Sequence, residues 1–239
     1  MWGWSHGSAW LDDETARAYL ARPPHPEETI LRLADELGAR GGRVLDIGTG
    51  TGELARRLAP LATHVDAVDV AAPMLALART LPGGRAGNIR WIQGRAEEAD
   101  VRGPYDLVVA GDSIHWMDWP VLMRRLADLL TDEGRIAILT RSEAPTPWQP
   151  QARQLYGRYS ANQDWLPLDP VEEMSSRGYF EPLGNWHCVG APVRQNVETY
   201  LDVLHSSSGF SRARLSPDAC AAFDDAMRVL LEPHLEDEH

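Results

Sequence analysis

The sequence predicts an α/β fold, a doubly wound and mostly parallel sheet of six or seven strands with helices on both faces, and three observations along its 239 residues predict it. Val44, Leu45 and Ile47 form a short apolar run of the kind that fills a parallel strand buried on both faces. A glycine-rich turn follows at once, and Glu53 to Leu61 then reads as a helix whose first N–H groups point back over that turn. Finally, the strand-like run His64 to Val70 carries Asp69 at its end, 21 residues beyond Gly48, where a second strand brings its carboxyl end beside the loop.

The spacing within the turn discriminates between ligands. Gly48, Gly50 and Gly52 can take positive φ and carry no Cβ, so the backbone can turn sharply and lie against a ligand. The dinucleotide fingerprint is G-x-G-x-x-G, yet the sixth position from Gly48 is Glu53, an acid where a pyrophosphate would approach. The pattern is instead D-x-G-x-G-x-G from Asp46 to Gly52, with a carboxylate at the strand end. That suits a cationic ligand without phosphates. It resembles motif I of the class I S-adenosylmethionine (SAM) methyltransferases, whose Rossmann-like fold places the strand-end acid near the methionyl part of the cofactor. The resemblance makes Asp46, Gly48, Thr49, Gly50 and Gly52 candidate cofactor residues.

Composition narrows the classes. The charged fraction of 24% and hydrophobic fraction of 44% are ordinary for a folded soluble chain. A net charge of −12 argues against general nucleic-acid binding, which needs a basic face. All 23 basic side chains are arginine, a bias expected of a GC-rich bacterial genome, and the lack of lysine excludes Schiff-base chemistry. Cys188 and Cys220 form neither a metal cluster nor a disulfide framework and read as free thiols. No apolar run approaches a membrane span and no signal-peptide pattern opens the chain, so the expectation is a cytoplasmic protein without membrane association, a monomer or homodimer, holding no metal.

In chain order, Met1 to Trp10 lacks a helical or strand period and carries three tryptophans, which favours docking over the active-site mouth or on another subunit. Asp13 to Leu20 reads as a helix capped by Asp12 or Asp13, ended by the prolines of ARPPHP. Ile30, Leu33, Ala34 and Leu37 share one face of a helix over Glu27 to Leu37. The stretch YLARPPHPEETILRLADEL looks like the lead-in of a small-molecule branch of the methyltransferases, the trans-aconitate-like or type 11 group. That likeness makes Tyr19 and Arg22 candidate cofactor or substrate contacts, with Arg22 suited to a carboxylate.

Asp69 can accept hydrogen bonds from both hydroxyls of a ribose, a feature common to SAM and NAD sites. The resemblance adds Val70 beside it and Met74, in the helix opened by Pro73, as the residue packing on the adenine. Asn88 to Gln93 is a third strand, followed by GRAEEAD, which resembles the family's third cofactor motif. The usual form has an acid directly after the glycine, whereas here Arg95 stands there. Ala96 and Glu97 are the candidates at the adenine edge.

Tyr105 to Ala110 is a buried fourth strand, and the residues just past it line the ligand crevice of such a sheet. Those residues, GDSIHWMDW, resemble the "alHWfd" signature of the same branch. Gly111 becomes a cofactor candidate, His115 the candidate general base and Trp116 a shield or substrate contact. Pro120 to Leu130 is an amphipathic helix, and TDEGR turns the chain into strand five, IAILT.

Beyond Thr140, Gln151 to Tyr159 and Glu172 to Ser176 read as helices, with Asn185 to Val189 as strand six. The family builds its acceptor pocket here, which makes Trp148, Tyr156 and Trp165 candidate substrate residues, with Tyr159 beside them. Val197 to Leu204 forms a helix entering HSSSGFSR, which resembles the family's "LrSwSa" element and makes His205 a second candidate base. Pro217 to Leu231 closes the chain as a helix capped by Ser216. Either the sheet has six strands or a seventh lies outside this chain. The expected division is a lid and lead-in at 1–42, a cofactor-binding core at 43–140 and acceptor-pocket helices with strand six at 141–239, forming one compact domain.

The resemblance therefore implies a SAM-dependent methyltransferase acting on the O, N or C atom of a small-molecule acceptor, such as a carboxylate or a secondary metabolite. Two other readings stand beside it: a SAM-binding module without methyl transfer, and an NAD-linked oxidoreductase, disfavoured by Glu53.

Overall fold

A computed structural model describes residues 8–38, 41–163 and 169–235. The chain divides into two compact units. One holds the described residues of Pro24–Arg141 and Pro167–Pro192, the other those of Trp4–Pro23, Ser142–Leu166 and Val193–His239. The three segments expected from the sequence run across these units.

The first unit is a five-stranded sheet: β1 (Arg43–Ile47), β2 (His64–Asp69), β3 (Ile89–Gln93), β4 (Tyr105–Gly111) and β5 (Leu130–Leu139). Their order is β3-β2-β1-β4-β5, and all four pairings are parallel. The order reverses direction between β1 and β4, so the crevice at their carboxyl ends is the topological switch point, where open α/β sheets bind ligands.

Alternation along the central strands explains how both faces are covered. Leu45 and Ile47 of β1 join Val108 and Ala110 of β4 in one apolar cluster, with α5 (Trp119–Leu129) and Met174 of α7 (Pro170–Ser176) packed over them. Val44, Leu107 and Val109 face the other way, against Ile30, Leu33 and Leu37 of α2 (Glu27–Leu37) and Leu54, Ala55 and Leu58 of α3 (Glu53–Leu58). The helical spacing read in α2 is thus its buried face. After β2, the helix α4 (Ala72–Thr80) returns the chain to β3.

Two expectations are corrected here. The sheet has five strands, not six or seven, because Asn185–Val189 forms no ladder. Val189 of that stretch and Leu183 just before it are 78% and 79% exposed, and Pro182, Gly184, Gly190 and Pro192 flank it. A strand needs a hydrogen-bonded neighbour, and alternation of side chains alone does not provide one. The helical insertion after β5 consequently has no sixth strand to close it among the described residues. The TDEGR turn, in addition, lies within β5, where the pairing jumps from Tyr105↔Leu130 to Leu107↔Arg135 and the surplus residues form a bulge.

The second unit is helical: α1 (Asp13–Ala18), capped by Asp12, then α6 (Gln149–Tyr159), α8 (Val197–His205) and α9 (Pro217–Leu231), capped by Ser216. Its core is Ala152, Leu201, Leu204, Phe223, Met227 and Leu231. Trp10 docks within this unit, its indole N–H donating to the Ser206 carbonyl at 3.1 Å. Trp2 and Trp4 lie outside the described residues. Among the described residues no helix is long and apolar enough to cross a membrane.

Candidate active site

The turn between β1 and α3 is held from below by two acids. The Asp46 carboxylate, 1% exposed, accepts from the Thr49 hydroxyl at 2.6 Å and from the Ala55 N–H at 3.1 Å through the same oxygen. Burial pushes this carboxyl up to about 7, against the opposing pull of those two donors. Asp69 accepts the Gly50 N–H at 2.7 Å on one oxygen and the Ala71 N–H at 2.8 Å on the other. It is half-buried, and burial raises its carboxyl against the backbone N–H groups of Ala71, Gly50 and Val70. Its two oxygens together have more accepting positions than these backbone donors fill, which leaves capacity for a ligand hydroxyl.

Gly48, Gly50 and Gly52 have φ of 67°, 56° and 73°, as the turn requires. Internal packing also dictates two of them. A Cβ on Gly52 would stand 2.2 Å from the Trp91 ring, and one on Gly48 would stand 2.5 Å from the Ser113 Cβ. Only Gly50, half-exposed, leaves its backbone tied to Asp69 alone.

The cations of α3 point elsewhere. Arg56 donates to the Thr51 and Pro82 carbonyls, and Arg57 to Glu53, Glu27 and the His25 carbonyl. A pyrophosphate would meet no basic side chain from this helix, whereas a ligand with ribose hydroxyls meets Asp69. Asp69 suits the ribose hydroxyls of an adenosyl group, and the acid Glu53 stands where the pyrophosphate of a dinucleotide would approach.

Around this centre, Met74 is 2% exposed on α4, and Ala96 is buried in the cluster beneath β3 and β4. Val70 follows β2, its carbonyl accepting the Gln93 amide at 3.4 Å. Glu97 is 8% exposed, and one of its oxygens accepts the Asp118 N–H at 2.7 Å and an Arg95 N–H at 3.2 Å. It ties the loop after β3 to the start of α5, so that oxygen is engaged within the protein. Gly111 ends β4. Asp112, at φ 49°, turns the chain there while Arg141 grips its carboxylate at 2.6 Å.

His115 and Trp116 lie in the single 3₁₀ turn Ile114–Trp116, ring centroids 4.7 Å apart. Burial holds the His115 imidazole below its usual value, with Asp112 pulling the other way. Among the described residues no side chain hydrogen-bonds its ring nitrogens.

The candidates in the helical unit are built into that unit's own packing. Arg22 donates to the Ser206 hydroxyl at 2.6 Å and carbonyl at 3.2 Å, and lies 4.3 Å over the Tyr19 ring. Tyr156 packs against Phe210 and Phe223, and burial raises its phenol. Trp148 packs against His234, its indole nitrogen buried without a partner. Trp165 lies outside the described residues. His205 as a second base is corrected: it is 1% exposed, and its two ring nitrogens bond the Phe210 carbonyl at 2.6 Å and Asp224 at 2.7 Å. An imidazole closed on both sides has no lone pair to offer a substrate.

One residue at the switch point escaped sequence reasoning. His25, 7% exposed, bonds Glu53 through Nδ1, while its Nε2 is buried without a partner among the described residues. Such an unsatisfied group costs about 1–3 kcal/mol in a ligand-free protein. The sequence marked ARPPHP only as a helix stop. The signal available was an imidazole clamped between two prolines just ahead of helix α2.

Comparison with known proteins gives the family and the fold. The methyltransferase domain family model matches residues 44–134, the stretch from β1 into β5. A malonyl-[acyl-carrier protein] O-methyltransferase of Magnetococcus marinus is 31% identical over 203 residues, covering 82% of this chain and 70% of that protein. An uncharacterized methyltransferase of Mycobacterium tuberculosis is 38% identical over 101 residues, 41% of this chain and 49% of that one. Among solved structures, a protein of Anaeromyxobacter dehalogenans described as a type II methyltransferase superposes with a TM-score of 0.60. The superposition covers 87% of this chain and 89% of that one at 23% identity, a likeness of fold alone.

Proposed function

The chain belongs to the class I SAM-dependent methyltransferases, and from that premise we propose that it transfers the methyl group of SAM to a small-molecule acceptor at the carboxyl ends of β1 and β4. Asp69 carries the reading of the cofactor: a carboxylate beside the glycine turn, oriented by two backbone N–H groups, with lone pairs left for a ribose. When bound, SAM supplies a methyl group already activated by a positively charged sulfur.

The protein's own task is placement. Asp69 receives the ribose hydroxyls, Gly48 to Gly52 and Val70 border the adenosyl group, and Met74 and Ala96 flank the adenine. Asp46 holds the turn's shape through Thr49 and Ala55. The 3₁₀ turn of His115 and Trp116 covers the methyl-bearing end beside Gly111, keeps water out and aligns the acceptor. Such orientation is worth on the order of 7–11 kcal/mol of the barrier.

A small acceptor is supported by the net charge of −12, which disfavours a nucleic-acid substrate. The Magnetococcus relative, named for methylating a malonyl group, puts small acids on the panel of acceptors to be tested beside phenols and amines. Calorimetry with S-adenosylhomocysteine and NADH, followed by incubation with methyl-labelled SAM and a panel of small acids, phenols and amines, tests the proposal. Binding of S-adenosylhomocysteine but not NADH, with label moving to one panel member, is expected. NADH binding without S-adenosylhomocysteine binding would contradict it.

A further inference from the structure

The Nε2 atom of His25 is the buried acceptor at the switch point that the cofactor reading leaves unused. We propose that His25 is a catalytic residue, held in one tautomer by Glu53, which takes the proton from the acceptor's nucleophilic atom. The acceptor is therefore a hydroxyl or amine that still carries its proton, not a carboxylate. This inference rests on the methyltransferase reading above.

Geometry carries it. Glu53 begins α3, directly after the glycine turn of β1, and Gly111 ends β4. His25 stands against both: its Nδ1–H donates to Glu53, and a Cβ built on Gly111 would lie 3.6 Å from its Cε1 and 3.7 Å from its Nε2. The ring edge bearing Nε2 thus lies at the end of β4, on the side that Leu54 of α3 also covers. Because an ionised carboxylate only accepts, Nδ1 carries a proton toward Glu53, and in the neutral imidazole this leaves the lone pair on Nε2. Among the described residues no donor meets that lone pair.

The assembly is also braced. Arg57 donates to Glu53 at 2.6 Å, to the His25 carbonyl at 2.6 Å and to Glu27 at 2.5 Å. The bonds from His25 and Arg57 hold the Glu53 carboxyl below its usual range in spite of burial. Pro24 and Pro26 restrict the backbone on either side of the ring. An oriented base with a carboxylate behind it and a free nitrogen in front is the arrangement of general-base catalysis. His115, by contrast, has no carboxylate hydrogen-bonded to its ring among the described residues, and its ring packs on Trp116.

In the reaction, the acceptor's oxygen or nitrogen forms a bond to the methyl carbon as the bond from that carbon to sulfur breaks, its electron pair staying on sulfur to leave the neutral thioether. The proton of the acceptor passes to Nε2, and the resulting imidazolium is stabilised by Glu53. Solvent then takes the proton. A carboxylate acceptor would have no proton to give, and this dyad would have no task.

The test uses the full chain labelled with ¹⁵N-histidine, with His25 assigned through the His25→Gln variant. Nε2 should be the unprotonated nitrogen, and Glu53→Gln should move the Nδ1 proton signal. A proton on Nε2 overturns the proposal whatever the substrate. His25→Phe and His25→Gln should bind S-adenosylhomocysteine within about threefold of the parent, and a loss beyond about tenfold overturns it, because the ring would then be holding the cofactor. With 4-nitrocatechol as the phenol probe, His25→Phe should lower kcat about 10²- to 10⁴-fold at nearly constant KM, with Glu53→Gln lowering it less. Faster transfer to malonyl-CoA or trans-aconitate than to phenol and amine probes, unaffected by His25→Phe, overturns it. Failure of the parent chain to bind S-adenosylhomocysteine would instead sink the cofactor reading and leave the tautomer result standing on its own.

Discussion

The Thr49 hydroxyl donates to Asp46 at 2.6 Å, and the same carboxylate oxygen takes the N–H of Ala55, so a single buried acid shapes the whole turn between β1 and α3. Burial raises this carboxyl to about 7 from an ordinary 3.8. The folded protein therefore holds a proton that the unfolded chain releases, and stability falls as pH rises from about 4 to about 7. Asp46→Asn keeps one oxygen for both donors and has no charge. Relative to the parent, its stability should improve by on the order of 2–4 kcal/mol between pH 4 and pH 8, read from urea unfolding. Parallel pH curves for the two proteins would contradict the assignment.

Gly52 has φ 73°, and a Cβ there would stand 2.2 Å from the Trp91 ring. Gly52→Ala should cost about 2–4 kcal/mol through backbone strain and overpacking together. Trp91→Leu in the same chain should recover the packing share, visible as a favourable coupling in a double-mutant cycle. Equal penalties with and without Trp91 would show that the ring is not the obstacle.

Asp66, fully buried, binds His64 at 3.0 Å and Arg90 at 2.7 Å and also accepts from the Tyr105 hydroxyl. Burial disfavours its charge, but these partners outweigh burial and hold its carboxyl below the usual range. The stability this contributes is present above the unfolded value near pH 4 and is lost as pH falls through the depressed folded value. Tyr105→Phe should cost about 1–2 kcal/mol at neutral pH and move the midpoint of acid unfolding upward. An unchanged acid midpoint would contradict this role.

His205 and Asp224 form a closed pair in the helical unit. Asp224→Asn should lower stability by about 1–3 kcal/mol and leave S-adenosylhomocysteine affinity within about threefold. Loss of cofactor binding at unchanged stability would instead restore His205 to the active site.

Most of the parallel core was legible because local patterns decide it. The run Val44 to Ile47, the glycines at positive φ and the apolar face of α2 each fix their element without help from distant residues. Asn185–Val189 failed because a strand exists only by its neighbour, and alternation does not reveal whether an edge is available. Within the candidate site, Asp46 and Asp69 stand in a recognisable spacing, and both are bonded to the glycine turn. His205 was misjudged because a histidine's lone pairs are consumed by residues far away in the chain, here Asp224 on α9. His25 was missed because its meaning comes from Glu53, 28 positions on, and from the bare end of β4.

Titration calorimetry of S-adenosylhomocysteine into the parent chain and its Asp69→Ala variant tests the central claim most directly. The account predicts that the parent binds and that the variant, still folded by circular dichroism, binds at least about tenfold more weakly, equivalent to 1.4 kcal/mol or more. Equal affinity in the two proteins would place the ribose elsewhere and contradict the site.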